Sequence, residues 1–526
     1  MNLIFKKENL LLFFFIIYIC FGFYSSLNTG ISHDEYHEEI YWNFNKELVI
    51  NFFSNNSNEE FLSFRDKYYG IGFQLISQPI QYFLKHYISI FYYVDEYGSK
   101  LISKHFVIFL FFFISGIYLR KILFLLTENK NFSTLGSLFY LLYPYLFGHS
   151  LMNPKDIPFL SIWLILTYYN FSIILNFFQN KKLLLKDLFA LSILTAFLIS
   201  IRISGLLILI QFFISFILTF NIMKLGFEYF FKNLFSKAIF FLVSALFFII
   251  LLYPIFWTNP FLLIDAIKFM GNFPQDICTQ TFGKCLRAQN LDPLYIPSWL
   301  LVKLPILIII GIILIPLSEK KIFASKKNQI IFGSILITSI FIPFMLIFLK
   351  TPLYDELRQI LFLIPLYIII GLVSFYFLIK NLINKILFVF IVIFIFENFY
   401  TYPYQYTWFN FPSRLMQLEK KFELDYWGIS GKKIAEKINS NNIEKKCLVV
   451  SPQYLIKPYI NEKKIDCYYN WQSIEQSIPR PFYAIQLVRN LKSSIPYKCE
   501  IIHSEFIDLS FYKKNTLNSA NLIECK

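Results

Sequence analysis

Apolar runs of membrane-spanning length recur throughout residues 1–400, and no other feature restricts the fold of this chain so tightly. Crossing a bilayer's hydrocarbon as a helix takes roughly 17 to 25 mostly apolar residues. Candidate stretches lie at 9–27, 102–126, 133–148, 157–178, 187–201, 205–222, 238–256, 299–317, 329–349, 359–379 and 386–400, those at 133–148 and 187–201 being the shortest. Backbone polar groups must be paired internally in lipid, which leaves helices as the structure for runs of this length. At 56% hydrophobic and 16% charged residues, the chain is too apolar for a soluble protein of 526 residues. The expected fold class is therefore an α-helical polytopic membrane protein with about eleven transmembrane helices.

Charge sets the expected orientation. The loops carrying Arg120 and Lys121, Lys181 and Lys182, Lys224 and Lys232, Lys320 to Lys327, and Lys380 and Lys385 alternate with the remaining ones. They fall on one side, the cytoplasm by the positive-inside rule. Lys6 and Lys7 precede an apolar run from Leu10 to Phe23 with no small-x-small cleavage site, the pattern of an uncleaved signal-anchor with its N-terminus inside. The outer side then receives residues 28–100, 149–156, 257–298, 350–358 and everything from 401 onward. The net charge of +15 is accounted for by basic loops and a basic exported tail, and no aromatic-plus-basic pattern points to nucleic acid.

Two domains follow: a transmembrane catalytic unit over 1–400, and a small mixed α/β domain over 401–526, where short apolar runs alternate with Pro, Asn and Lys. The first outer loop, 28–100, interleaves Phe61, Tyr68, Tyr69, Phe73, Ile76 and Phe83 with Arg65, Lys67 and Lys85, as amphipathic helices on a membrane face do. Cys278, Cys285, Cys447, Cys467, Cys499 and Cys525 all fall on the outer side. Cys278 with Cys285 would close a short loop, and the other pairings stay open.

Chemistry concentrates in two outer stretches. Ser32-His33-Asp34-Glu35-Tyr36-His37-Glu38-Glu39 follows the first apolar segment directly, and His149, Asn153, Lys155 and Asp156 crowd the turn between two others. Charges beside hydrocarbon are costly, so they face one another or a cavity unless they only cap a helix or snorkel. Lys67, Arg202 and Arg358 add cations on the same side, Arg202 inside an otherwise apolar stretch. Arginine binds phosphate bidentately. For Arg358 a simple pair with Asp355 or Glu356 is the competing reading. Carboxylates beside phosphate-binding cations at a membrane face fit a reaction on a phosphorylated lipid. If that lipid carries a sugar, a carboxylate takes the acceptor's proton while cations stabilise the departing phosphate. Asp34 and Asp156 can supply the first role, and Lys67, Arg202 and Arg358 the second, while His33, His37, Glu38 and Glu39 read as polarity at a helix start.

The Asp34-Glu35 pair, Asn153-Pro154-Lys155-Asp156, the Arg202 stretch, Leu291 to Leu301, Leu357-Arg358-Gln359 and Phe422 to Ser430 resemble the bacterial glycosyltransferase family 39-like proteins of the GT-C superfamily. Protein mannosyltransferases and the lipid A aminoarabinose transferase are relatives. The resemblance runs to about residue 440 and implies a GT-C type fold with an inverting transferase that uses a polyprenyl-phosphate sugar. By position Asp34 matches the family's catalytic first-loop aspartate, which makes it the expected base with Glu35 in support. Asp156 matches the second-loop acidic residue, which in some relatives helps hold a divalent metal. Lys155, Lys67 and Arg202 become phosphate contacts by analogy. A metal here would draw on Asp34, Asp156, His33 and His149. The partners implied are a polyprenyl-phosphate-linked sugar, membrane lipid, and a glycan, lipid or protein acceptor, at the periplasmic face of a bacterial inner membrane. The main alternative is a lipid-linked-sugar flippase or other transporter, which predicts inverted repeats or discontinuous helices near the midplane. A scaffold whose exported tail binds a partner would need only one anchoring helix.

Overall fold

The computed structural model describes residues 7–91, 94–180, 182–440, 446–473, 478–487, 491, 493–509 and 516–526. Lys6 and Lys181, used in the charge pattern, lie outside the described residues.

Among the described residues seven helices are long and apolar enough to cross a membrane: Glu96–Thr127, Asp156–Asn180, Ile203–Ile222, Phe235–Leu252, Lys326–Phe348, Arg358–Ile379 and Ile383–Tyr400. Two bent pairs raise this to nine. Phe14–Asn28 turns by 84° into His33–Ser54, and Tyr295–Lys303 turns by 120° into Ile306–Ile313. Two of the eleven expected stretches fall outside this set. The stretch 133–148 is broken into Lys130–Leu142 and Pro144–Ser150. Pro144 supplies no N–H and pushes Tyr143 out of helical geometry, to φ −59° and ψ 112°. The stretch 187–201 forms one helix, Leu185–Ile201, whose 17 residues sit at the lower limit for a crossing.

The first bend is written into local chemistry. Ser32 and Glu35 form a reciprocal capping box that starts the helix His33–Ser54. Just before it, Gly30 lies so close to Ile429 that an added Cβ would stand 2.4 Å from its carbonyl oxygen. The helix Gly72–Phe91 buries Phe73, Ser77, Gln81 and Ile88 and exposes Tyr82, Phe83 and Tyr87, the two-faced pattern expected of a helix lying along a membrane surface. Asp95 caps the long helix that follows it, accepting from the Gly98 N–H at 2.6 Å.

The C-terminal residues build a five-stranded mixed sheet. With β1 as Cys278–Thr281 and β2 as Lys284–Arg287 forming a hairpin in the chain's middle, β3 is Lys446–Val450, β4 Ile465–Tyr469, β5 Phe482–Leu487, β6 Cys499–Asp508 and β7 Thr516–Cys525. The sheet order is β4-β3-β5-β7-β6, with β3 parallel to β4 and β5, and β7 antiparallel to both of its neighbours. The helix Gly431–Ser440 covers one face, packing Ile434, Ala435 and Ile438 with Leu448, Val450, Ile485 and Leu522. Disulfides join Cys278 to Cys285, Cys447 to Cys467 and Cys499 to Cys525, tying β1 to β2, β3 to β4 and β6 to β7. This sheet unit sits directly on the turn before the helix His33–Ser54 and on the start of the helix Glu96–Thr127. The Tyr459 hydroxyl accepts from the Ile31 N–H at 2.9 Å, and the Asp95 N–H donates to the Pro458 carbonyl at 3.0 Å.

Candidate active site

The five outer segments expected from the charge pattern come together at one end of the helical bundle. The turn Asn153-Pro154-Lys155-Asp156 is shaped by Asn153, whose Oδ1 accepts from the Asp156 N–H at 2.9 Å while its amide donates to Asp156 Oδ2 at 3.1 Å. Asp156 thus stands in the first turn of its helix, where a carboxylate is favoured by the helix dipole. Arg202 occupies the break after Leu185–Ile201 in extended backbone, φ −148° and ψ 134°, which frees its side chain to reach across. Its guanidinium donates to Asp156 Oδ1.

Arg358 is the hub. It donates to Asp34 through Nη2 and to Asp355 at 3.1 Å through Nη1, and its Nε lies 3.5 Å from Asp156 Oδ2. The two aspartates expected to share a site therefore meet on one buried guanidinium. The Trp427 ring covers that guanidinium at 4.5 Å. Trp427 is held by a turn in which Asp425 accepts from the N–H groups of Gly428 at 2.8 Å, Ile429 at 3.1 Å and Ser430 at 3.1 Å, and the Trp427 carbonyl accepts from the His33 N–H at 3.1 Å.

A cavity of about 350 Å³ opens beside this hub, lined among others by Asp34, Tyr41, Arg65, Tyr69, Lys155, Arg202, Tyr354 and Arg358. Lys155 is 2.6 Å from Glu38, and its ammonium lies over the Tyr69 ring at 4.2 Å, with Tyr41 stacked on Tyr69 at 4.5 Å. Burial works to raise the Asp34 carboxyl, but Arg358, then Lys155 and the two neighbouring imidazoles, outweigh it and hold Asp34 at about 2. Burial pushes the His33 imidazole down to about 4, opposed by Asp34. At neutral pH the cavity wall therefore presents an ionised Asp34 and an uncharged His33.

Three expected site residues lie elsewhere. Glu35 is fully buried and turned away: it accepts from the Ser32 N–H at 2.7 Å and the Ser32 hydroxyl at 2.9 Å, and pairs with His105 at 2.9 Å. The capping box that fixes the helix start also takes Glu35 out of the cavity. Lys67 folds back onto the Leu62 carbonyl outside the lining, where Arg65 stands instead. His149 is enclosed behind the turn, with Nδ1 3.1 Å from the Asn153 amide and its ring 4.7 Å from that of Tyr145. Among the described residues no group of three or more His, Cys, Asp or Glu side chains is placed to hold a metal. Asp34 and Asp156 are each matched to a guanidinium, so this donor set does not suit a divalent cation as arranged.

Other site residues escaped the sequence reading. Glu38 and Glu39 each meet a cation: Glu38 pairs with Lys155, and Glu39 takes Lys104 at 3.1 Å and the Gln78 amide at 2.8 Å. Tyr454, from the sheet unit, bridges His33 at 2.5 Å and His37 at 3.4 Å and stacks on Tyr36 at 4.1 Å. The spacing of His33 and His37 by one helical turn was the available signal that both face one partner.

No protein-family model matches this chain, and no curated protein matches it. Among solved structures it is similar to two crystal structures of ArnT from Cupriavidus metallidurans. The one bound to undecaprenyl phosphate is 10% identical over 81% of this chain and 84% of that one, with a TM-score of 0.38. The apo form is 10% identical over 84% and 87%, with a TM-score of 0.41.

Proposed function

We propose that this protein is a membrane glycosyltransferase of the GT-C kind that moves a sugar from a polyprenyl-phosphate donor to an acceptor hydroxyl at the outer, periplasmic face of a bacterial inner membrane. The observation that carries this reading is the convergence of Asp34 and Asp156 on Arg358, with Arg202 and Lys155 beside them, at one cavity on one end of the spans.

In the resting site Asp34 serves as a counter-ion to Arg358, and a carboxylate held that low is a poor base. A donor phosphate exchanges this pairing. Its oxygens accept hydrogen bonds from the guanidinium groups of Arg358 and Arg202 and from the Lys155 ammonium, as bidentate phosphate recognition favours. Asp34, no longer neutralised by Arg358, regains proton affinity next to the anomeric carbon. The acceptor oxygen then attacks that carbon while its proton passes to Asp34. The bond from the anomeric carbon to the phosphate oxygen breaks, its electron pair stays on the phosphate, and the three cations stabilise the charge that develops. A single displacement of this kind inverts the anomeric centre. Asp156 acts by holding Arg202 and Arg358 in place.

The test is release of polyprenyl phosphate from a panel of radiolabelled polyprenyl-phosphate sugars by protein in lipid nanodiscs. Release by wild type and its loss in Asp34→Asn is the expected result. No release from any donor, or equal release by both proteins, overturns the reading.

A further inference from the structure

Arg358 is delivered to the cavity by a bend that the local sequence does not favour. Asp355 and Glu356 both take left-handed backbone, at φ 55° and 64°, although neither is glycine. Non-glycine residues in this region are strained and persist only where the surroundings over-determine them. Here the surroundings are specific. The Asp355 N–H donates to Thr279 Oγ at 2.9 Å, and the Tyr295 hydroxyl donates to the Glu356 carbonyl at 3.0 Å. The Glu356 side chain turns away from the cavity and meets Lys303 at 2.9 Å, both groups being wholly buried. The Lys303 ammonium lies over the Phe409 ring at 3.9 Å and near Tyr145 at 4.8 Å.

A buried ion pair is an expensive way to gain stability, because desolvating two charges cancels most of their attraction. What it supplies is a unique arrangement, since each charge tolerates no other place. Glu356 and Arg358 leave the chain in opposite senses, so fixing one inside the protein fixes the aim of the other into the cavity. We infer that Glu356 and Lys303 form a positioning pair for phosphate recognition, anchoring the bend that points Arg358 at the donor. The inference rests on the reading of Arg358 as a phosphate contact.

Equilibrium binding of polyprenyl phosphate and of the polyprenol of the same chain length, to full-length protein in nanodiscs, tests both levels. Wild type is expected to prefer the phosphate, and Arg358→Gln to lose that preference; a wild type without it fails the underlying reading, not the positioning pair alone. Given that preference, Glu356→Gln and the double variant Lys303→Met with Glu356→Leu are each expected to lower it about tenfold or more. Polyprenol affinity, and the thermal unfolding of the double variant, are expected to stay close to wild type. An unchanged preference in either variant, or an equal loss of affinity for both lipids, overturns the positioning role. If the double variant does not fold, Glu356→Gln decides, since it keeps the volume and a polar group beside Lys303.

Discussion

Asp34 carries two demands that pull against each other. Its ion pair with Arg358 keeps it charged and in place, and the same pair keeps it from accepting a proton. The exchange mechanism makes a prediction that a plain base mechanism does not. Asp34→Asn removes the group that competes with the donor for Arg358, so it should bind polyprenyl phosphate more tightly than wild type while transferring sugar at least about 100-fold more slowly. Weaker binding by the variant would sink the exchange. Glu35, one residue on, behaves differently because its oxygens are committed to Ser32 and His105. Glu35→Gln should lower stability by about 1 to 3 kcal/mol, the cost of disturbing a buried hydrogen-bonded charge, and leave donor affinity of the folded protein unchanged. Thermal unfolding together with lipid binding separates the two effects. Asp34 was legible in the sequence because a carboxylate beside hydrocarbon must be compensated. Its partner was less so, because Arg358 stands 324 residues away and offers Asp355 and Glu356 as nearer alternatives.

At the scale of elements, the hairpin of β1 and β2 is tied by Cys278–Cys285 and holds two residues of the site's framework. Thr279 accepts from Asp355, and Thr281 accepts from the Trp299 indole at 3.1 Å. Thr279→Val keeps the shape and removes the acceptor for a buried N–H. It should raise the donor KM several-fold with little change in kcat, and an unchanged KM would show that the hairpin does not hold the Arg358 bend. The sequence showed the loop that Cys278 and Cys285 would close but not what it braces, since that depends on the distant segment 350–358. Spanning helices were readable from length and apolarity. The breaks were less so: the 120° turn before Ile306 lies within a stretch that reads as one continuous span, 299–317. In the C-terminal part, the apolar runs at Cys447 to Val450 and from Tyr483 stand out, whereas β6 has one buried residue, Ile507, and no alternating apolar pattern.

Across the whole molecule, the sheet unit is docked against two residues of the cavity wall, His33 and His37, rather than hanging from the last span. Tyr454 clasps His33 and His37, and around His33 stand Asp34, His37, Asp355 and Arg358 as further charged or titratable groups. The sign of the pH effect follows from the His33 shift. Its folded value of about 4 lies below the ordinary 6.5, burial being the main cause and Asp34 opposing it. Between those two values the opened state binds more protons than the closed one, so the clasp is at full strength above about pH 6.5 and weakens as pH falls towards 4. Below the folded value no further loss arises from this group. Limited proteolysis of the segment after residue 400, followed from pH 7 to pH 4, should therefore accelerate over that window in wild type. His33→Gln removes the titrating group while retaining a side chain able to meet Tyr454, and its proteolysis should change less over the same range. A variant that opens as steeply as wild type would show that acid acts on the docking of the sheet unit through other groups, and that His33 is only a wall of the cavity.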